Sequence, residues 1–145
     1  MFNLHPNFSW RIDIVGEEQQ PVLIVDNFLA QPELLVEYCC ENSSFTSADA
    51  FYPGLRMLAP REYLMAISEH LRPIITHTFG LEDGAISKLF SSYSLVTTPP
   101  EKLKTEQAVP HFDSDNMAEL ASVYYLCDSR FGGTSIYRHR ETGFE

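Results

Sequence analysis

Basic side chains are scarce in this 145-residue chain. Ten Lys and Arg stand against 20 Asp and Glu, which gives a formal net charge of −10. Nucleic-acid backbones and anionic membrane surfaces both repel such a charge, and no basic stripe offsets it. We therefore expect no nucleic-acid or membrane partner. A local basic spot at Arg138 and Arg140 still leaves room for one anionic small molecule.

Cysteine and long apolar runs are also in short supply. Cys39 and Cys40 are adjacent and Cys127 stands alone, which matches neither a disulfide framework nor a zinc-ligand spacing. No run approaches the roughly 18 consecutive apolar residues of a membrane helix. The start of the sequence, MFNLHPNFSW, lacks the basic and apolar regions of a signal peptide. We therefore expect a cytoplasmic protein with reduced thiols.

The apolar content of the chain is high enough for a sizeable core. Apolar residues make up 44% of the sequence and aromatic residues 12%, which favours a packed, sheet-rich fold over disorder. The length is that of one domain, and no linker, repeat or low-complexity segment divides it. We therefore predict a single domain over residues 1–145.

Hydrophobic periodicity predicts strands and helices in a mixed order. The predicted strands cover residues 10–14, 22–25, 86–97, 120–127 and 134–138, and the predicted helices cover about 32–42 and 60–79. Pro73 lies inside the second helix and predicts a kink or a break there. Helices beside strands, followed by a meander of strands, indicate an α+β fold with the helices packed on one sheet.

The clearest chemical signal is the segment VPHFDSDN. His111 and Asp113 lie two residues apart, so on an extended strand their side chains point to the same face. An imidazole and a carboxylate on one face are two of the three protein ligands of a non-haem Fe(II) triad. Roughly 0.7 such His-x-Asp/Glu pairs arise by chance in this composition, and His139-Arg140-Glu141 is a second match. The surrounding sequence must therefore decide whether the His111–Asp113 pair is a metal site or a chance match.

That surrounding sequence resembles a known family. The segments VLIVDNFLAQPELL, FYPGLR, SYSLVTTPPEKLKTEQAVPHFD and ASVYYLCDSRFGGTSIYRH resemble the 2-oxoglutarate/Fe(II)-dependent oxygenases, closest to a bacterial branch with a prolyl-hydroxylase-like layout. The catalytic core of these enzymes is a jelly-roll-like double-stranded β-helix. The resemblance covers residue 22 to the end, and its more specific part is the PHFD…YYL…GGTSIYRH arrangement.

The resemblance implies a fold and a metal site. It implies Fe(II) at His111 and Asp113, 2-oxoglutarate as cosubstrate, and core strands over 120–127 and 134–138. The family's second histidine ligand, and the basic residue that pairs with 2-oxoglutarate, lie further along the chain. His139 directly follows the Gly-Gly strand, where the family pattern places no ligand. We therefore expect a C-terminally incomplete member with a partial double-stranded β-helix.

Two tyrosines are candidate contacts for the cosubstrate. Tyr93 lies on the strand before the metal loop, where its hydroxyl could reach a 2-oxoglutarate carboxylate, or could simply pack at the rim of the sheet. Tyr124 and Tyr125 alternate along a predicted strand, so only one faces the cavity, and the pattern does not decide which. Asp115 shares the strand parity of His111 and is expected to be solvated if the strand ends at Asp113.

Two function classes follow from these patterns. The first is an Fe(II)- and 2-oxoglutarate-dependent hydroxylase, or an incomplete fragment of one that is inactive alone, with a small-molecule or peptide substrate. The alternative is a non-catalytic β-rich binding or structural module that retains a remnant His-x-Asp motif. In either case, missing core strands would leave unpaired edges, which predicts a homodimer formed through them or poor solubility.

Overall fold

The computed structural model describes residues 2–47, 52–82, 84–111, 113–114, 116 and 118–143. The strands are β1 (Ser9–Val15), β2 (Gln20–Asp26), β3 (Thr46–Ser47), β4 (Gly54–Leu58) and β5 (Ser92–Val96). The helices are α1 (Glu33–Asn42), α2 (Arg61–Ala66), a π-helical segment (Ile67–Leu71), α3 (Arg72–Thr78) and α4 (Thr105–Ala108), with 3₁₀ turns at Pro100–Lys102 and Ser129–Phe131. The α+β class is therefore confirmed.

The strands form two small antiparallel sheets rather than one. β1 and β2 make a hairpin in which Trp10 pairs with Val25 and Ile12 with Leu23. The second sheet has the order β3-β4-β5. The predicted strands at 10–14 and 22–25 are confirmed as β1 and β2. They pair with each other because they are neighbours in sequence and are joined by a short turn. The predicted strand at 86–97 shortens to β5.

The chain divides into two compact units. The first comprises Met1–Ser44 and Met57–Tyr93, and the second comprises Phe45–Arg56 and Ser94–Glu145. Within the described residues, every buried apolar side chain belongs to the first unit: Phe28, Leu29, Leu35, Met57, Tyr63 and Ala66. The rings of Phe28 and Tyr63 meet edge to face with centroids 6.4 Å apart, an arrangement that aromatic quadrupoles favour.

The predicted helix over 60–79 is present, and Pro73 disturbs it as expected. Proline has no backbone N–H and its ring crowds the carbonyl one turn earlier, so a regular α-helix cannot continue through it. The chain instead widens into the π-helical segment Ile67–Leu71 immediately before α3, in which the N–H of Arg72 bonds to the carbonyl of Ile67. The helix is thus continuous but changes its winding. No helix of the described residues is both long and apolar enough to cross a membrane.

Two strand predictions are wrong. Residues 120–127 and 134–138 contain no strand, and nearly all of their side chains are exposed. A period-2 pattern produces a strand only where another strand supplies hydrogen-bond partners, and these segments have none among the described residues. β4 was not predicted, because its YPG start indicates a turn and its pairing partners β3 and β5 are not both local.

Candidate functional site

A short helix leads directly into the predicted metal-binding pair. The backbone N–H of Lys104 donates to Oε1 of Gln107 (2.9 Å), which closes the first turn of α4. The helix ends at Ala108, and the next residue, Val109, is extended with a φ of −98° and a ψ of 146°. Pro110 follows, and a residue before proline is restricted to extended conformations. The chain therefore enters His111 from an extended Val109-Pro110 segment that directly follows α4.

The structure brings His111 and Asp113 together. Nε2 of the imidazole lies 3.8 Å from Oδ1 of the carboxylate. Both side chains are exposed, at 63% and 78% of their surface. The two groups therefore lie close together, but on an exposed surface loop and not on the inward-facing strand that the sequence predicted.

A backbone carbonyl orients the His111 ring. Nδ1 of His111 lies 3.1 Å from the carbonyl oxygen of Val109. A carbonyl can only accept, so Nδ1 carries the hydrogen of the neutral imidazole and Nε2 keeps its lone pair. The lone pair is therefore on the nitrogen nearer Asp113, which is the arrangement of a metal-binding histidine whose other nitrogen donates to a carbonyl.

His139 has the opposite arrangement. The backbone N–H of Thr142 donates to Nδ1 of His139 (3.3 Å), and Oγ1 of Thr142 lies 2.7 Å from the same nitrogen. Because Nδ1 accepts here, Nε2 carries the hydrogen and has no free lone pair. His139 therefore takes part in a local turn with Thr142.

Tyr93 anchors a helix in the first unit. Its hydroxyl donates to the carbonyl oxygen of Leu35 in α1 (2.8 Å), and its ring stacks on Tyr38 with centroids 6.4 Å apart. Burial raises the pKa of Tyr93 to about 12, and Cys39 and Tyr38 add to the shift. A contact with 2-oxoglutarate stays a prediction, and it requires Tyr93 to give up its bond to Leu35.

The second tyrosine pair is now distinguishable. Tyr124 is half-buried and Tyr125 is exposed. The hydroxyl of Tyr125 is in hydrogen-bond contact with Oγ1 of Thr134, so it joins the two segments on either side of the 3₁₀ turn Ser129–Phe131. A contact between Tyr124 and 2-oxoglutarate stays a prediction. Asp115 lies outside the described residues.

The donor set at His111 and Asp113 has two members in the described part of the chain. No group of three or more His, Cys, Asp or Glu side chains that could hold a metal occurs among residues 2–143 outside the gaps. Two ligands about 2.1 Å from one ion lie about 3.0 Å apart at a right angle and at most about 4.2 Å apart. The 3.8 Å separation falls in this range. The pair could therefore hold one cation at a wide angle as it stands, and the right angle of a facial triad would need the two donor atoms to approach by about 0.8 Å.

Two cavities lined by described residues of the first unit do not include this pair. The larger, about 620 Å³, is lined by Arg72, Pro73, Thr76, His77, Gly80, Leu81, Gly84 and Ile86. The smaller, about 310 Å³, is lined by Phe2, Leu34, Tyr38, Pro60 and Glu62. Arg72, the cation of the larger cavity, is committed to Ser68 and the Ile86 carbonyl. The larger cavity therefore has its guanidinium already engaged, whereas the smaller one is lined by the carboxylate-bearing Glu62.

The sequence patterns did not indicate that the carbonyl oxygen of Val109 would accept a hydrogen bond from His111. A backbone carbonyl leaves no residue-type signature, so no pattern of side chains indicates it. The available signal was Pro110, because a proline directly before a candidate ligand restricts the preceding carbonyl.

Comparisons with known proteins give one match. A family model described as "Family of unknown function (DUF6445)" matches residues 6–145. No curated protein and no solved structure matches the chain.

Proposed function

The chain belongs to the DUF6445 family, and we propose that it carries the iron-binding His-x-Asp half of a 2-oxoglutarate-dependent oxygenase site. The observation that carries the proposal is the approach of His111 Nε2 to Asp113 Oδ1 at 3.8 Å. One neutral nitrogen and one anionic oxygen are the donor types that non-haem Fe(II) takes in a facial triad. In this proposal, His111 and Asp113 are metal ligands and the remaining positions belong to the cosubstrate and further ligands.

The residues of the chain prepare the ion's position before it binds. Val109 holds the His111 ring so that a lone pair is available at Nε2. Asp113 supplies a negative charge, which lowers the cost of placing a divalent cation at this exposed loop. If Fe(II) and 2-oxoglutarate were bound, they would supply, with dioxygen as the oxidant, oxidative decarboxylation to succinate and CO₂ coupled to substrate hydroxylation. Tyr124, half-buried in the same unit, is the proposed contact for the cosubstrate.

We also propose that the second unit represents part of a double-stranded β-helix. The contact between Tyr125 and Thr134 supports this, because it joins the two segments that resemble core strands of the family. The turn between them is tight: the side chain of Asp128 accepts from the N–H of Arg130 (3.0 Å), and Gly132 has a φ of 85°. The contact and the turn therefore bring the two segments together, although neither forms a strand.

Anaerobic titration with Fe(II) tests the proposal. We expect His111→Ala and Asp113→Ala each to weaken binding by at least about tenfold, since each removes a direct ligand and loss of an outer-shell partner alone costs about that much. His139→Ala is the matched control and should bind as the wild type does, because its Nδ1 already accepts from Thr142. Equally weak binding by all four proteins would overturn the proposal.

A non-catalytic binding module is the second candidate. It is favoured by the exposure of His111 and Asp113, at 63% and 78%, because an oxygenase excludes water from its reacting centre. Succinate release from 2-oxoglutarate discriminates between the two. Turnover that is lost in His111→Ala excludes the module, whereas iron binding without turnover by the 145-residue chain favours it.

A further inference from the structure

The two residues before His111 determine how its ring is oriented. The carbonyl oxygen of Val109 accepts the Nδ1 hydrogen of His111 at 3.1 Å. The direction of that carbonyl depends on the ψ angle of Val109, which is 146°. A helical ψ would rotate the carbonyl away from the imidazole. The ring orientation of His111 therefore depends on an extended Val109.

Pro110 is the residue that keeps Val109 extended. The Cδ of a proline collides with the backbone of the preceding residue in the α region, which leaves ψ values of about 120° to 160°. Val109 has this conformation although it directly follows the helical turn α4, where an unrestricted residue could continue the helix. The proline thus ends α4 and directs the Val109 carbonyl at the same time.

We propose that Pro110 is a positioning residue for the metal site: through the Val109 carbonyl, it holds metal-free His111 as the Nδ1–H tautomer with the Nε2 lone pair facing Asp113. The part of this inference that concerns metal binding rests on the proposed function, whereas the part that concerns the tautomer of His111 does not. The opposite arrangement at His139, which no proline precedes and whose Nδ1 accepts from Thr142, indicates that the tautomer is set by local backbone partners.

Nitrogen-resolved NMR of the ¹⁵N-histidine-labelled, metal-free chain tests the tautomer directly. At a pH where the imidazoles are neutral, we expect the wild type to show His111 protonated at Nδ1 and His139 protonated at Nε2. In Pro110→Ala, His111 should shift to a mixture of both tautomers while the His139 signals stay unchanged. Pro100→Ala, in the 3₁₀ turn of the same loop, is the matched control and should leave both histidines as in the wild type.

Metal affinity provides the second readout. With Co(II) as the probe, we expect Pro110→Ala to bind about 3- to 10-fold more weakly than the wild type, since loss of an outer-shell partner costs about 10- to 100-fold and this variant only loosens one. Pro100→Ala should bind unchanged.

The outcomes separate this inference from the proposed function. If Co(II) binding depends on His111 but Pro110→Ala keeps both the wild-type tautomer and the wild-type affinity, the role of Pro110 is wrong and the metal site stands. If the wild type already shows His111 protonated at Nε2, the inference is wrong whatever the metal does. If His111→Ala binds Co(II) as the wild type does, the proposed function fails.

Discussion

Gly54 shows how a single residue can permit a strand pairing. A Cβ added at Gly54 would overlap the carbonyl oxygen of Leu95 and lie 2.9 Å from its carbonyl carbon and 3.0 Å from the Cα of Val96. These are backbone atoms, so they cannot move aside as a flexible side chain can. Glycine is therefore required where β4 passes β5.

We expect Gly54→Ala to lower the free energy of unfolding by about 3 kcal/mol, the upper range for overpacking. Chemical denaturation followed by circular dichroism measures the change. Gly133→Ala is the control, because the nearest atom to its added Cβ is Tyr125 Oη at 3.9 Å, an ordinary contact. Equal stability of the two variants would contradict the close approach of β4 and β5.

Tyr93 makes stability depend on alkaline pH. Its pKa rises to about 12 in the folded chain, mainly because of burial, whereas an unfolded tyrosine titrates near about 10. Above about 10 the unfolded state loses the proton and the folded state keeps it, so stability falls as pH rises from about 10 to about 12. Below about pH 10 the tyrosine is protonated in both states, so its full contribution to the free energy of unfolding is present.

Replacing Tyr93 with Phe should remove part of this alkaline loss. We expect Tyr93→Phe to be less stable at neutral pH by about 1 kcal/mol, the net value of one hydrogen bond, and to lose less stability between about pH 10 and 12. Denaturant midpoints across the pH range measure both effects. An identical alkaline slope in variant and wild type would show that Tyr93 titrates normally.

At the scale of elements, Arg72 joins α3 to the segment that follows it. Its Nε and Nη2 donate to Oγ of Ser68 (3.2 and 3.0 Å), and its Nη1 donates to the carbonyl of Ile86 (2.9 Å). The planar guanidinium holds its donors in fixed, spread directions toward both partners, whereas the three donors of an ammonium group all lie on one atom. The residues near Ile86, which have no regular structure of their own, depend on this side chain.

We expect Arg72→Lys to destabilise the chain by about 1–2 kcal/mol, since hydrogen bonds from a charged donor are worth about that much when partly buried. Amide hydrogen exchange around Ile86 should become faster, so that the free energy of local opening that it reports falls by a similar amount. The exposed Arg61→Lys serves as the control and should change neither quantity. Unchanged exchange near Ile86 in Arg72→Lys would mean that the segment is held by other contacts.

How well elements could be predicted depended on how local their partners are. The β1–β2 hairpin and both long helices follow from patterns within one segment. The segments at 120–127 and 134–138 have strand-like alternation, yet strand formation needs a neighbour that the alternation cannot specify. The same reason explains why β4 was missed. At the site, His111 and Asp113 were visible as residue types, whereas the Val109 carbonyl was not.

At the scale of the whole molecule, the second unit exposes much apolar surface. The side chains that are about half or more exposed include Leu95, Val96, Leu120, Val123, Phe131, Ile136 and Tyr137. Contiguous exposed apolar surface and unpaired backbone favour association. This observation supports the predicted homodimer, which stays a prediction.

We expect light scattering to show concentration-dependent self-association of the wild type. The double variant Val123→Lys with Ile136→Lys should shift the chain toward monomer, because charges on an exposed edge oppose pairing. The pair Ser122→Lys with Ser135→Lys adds the same charge at exposed neighbouring positions that are not apolar, and should associate as the wild type does. A monodisperse wild-type monomer at every concentration would contradict the prediction.

The π-helical segment has a consequence for how the protein can vary. A π turn holds one residue more than the α turn it replaces, and each residue advances a helix by about 100°. The π turn accommodates that residue by widening, so deleting one residue within Ile67–Leu71 would let the helix wind regularly while α3 keeps its orientation. Homologous chains that lack this residue should therefore keep the same face of α3 apolar, and should have no proline at the place of Pro73.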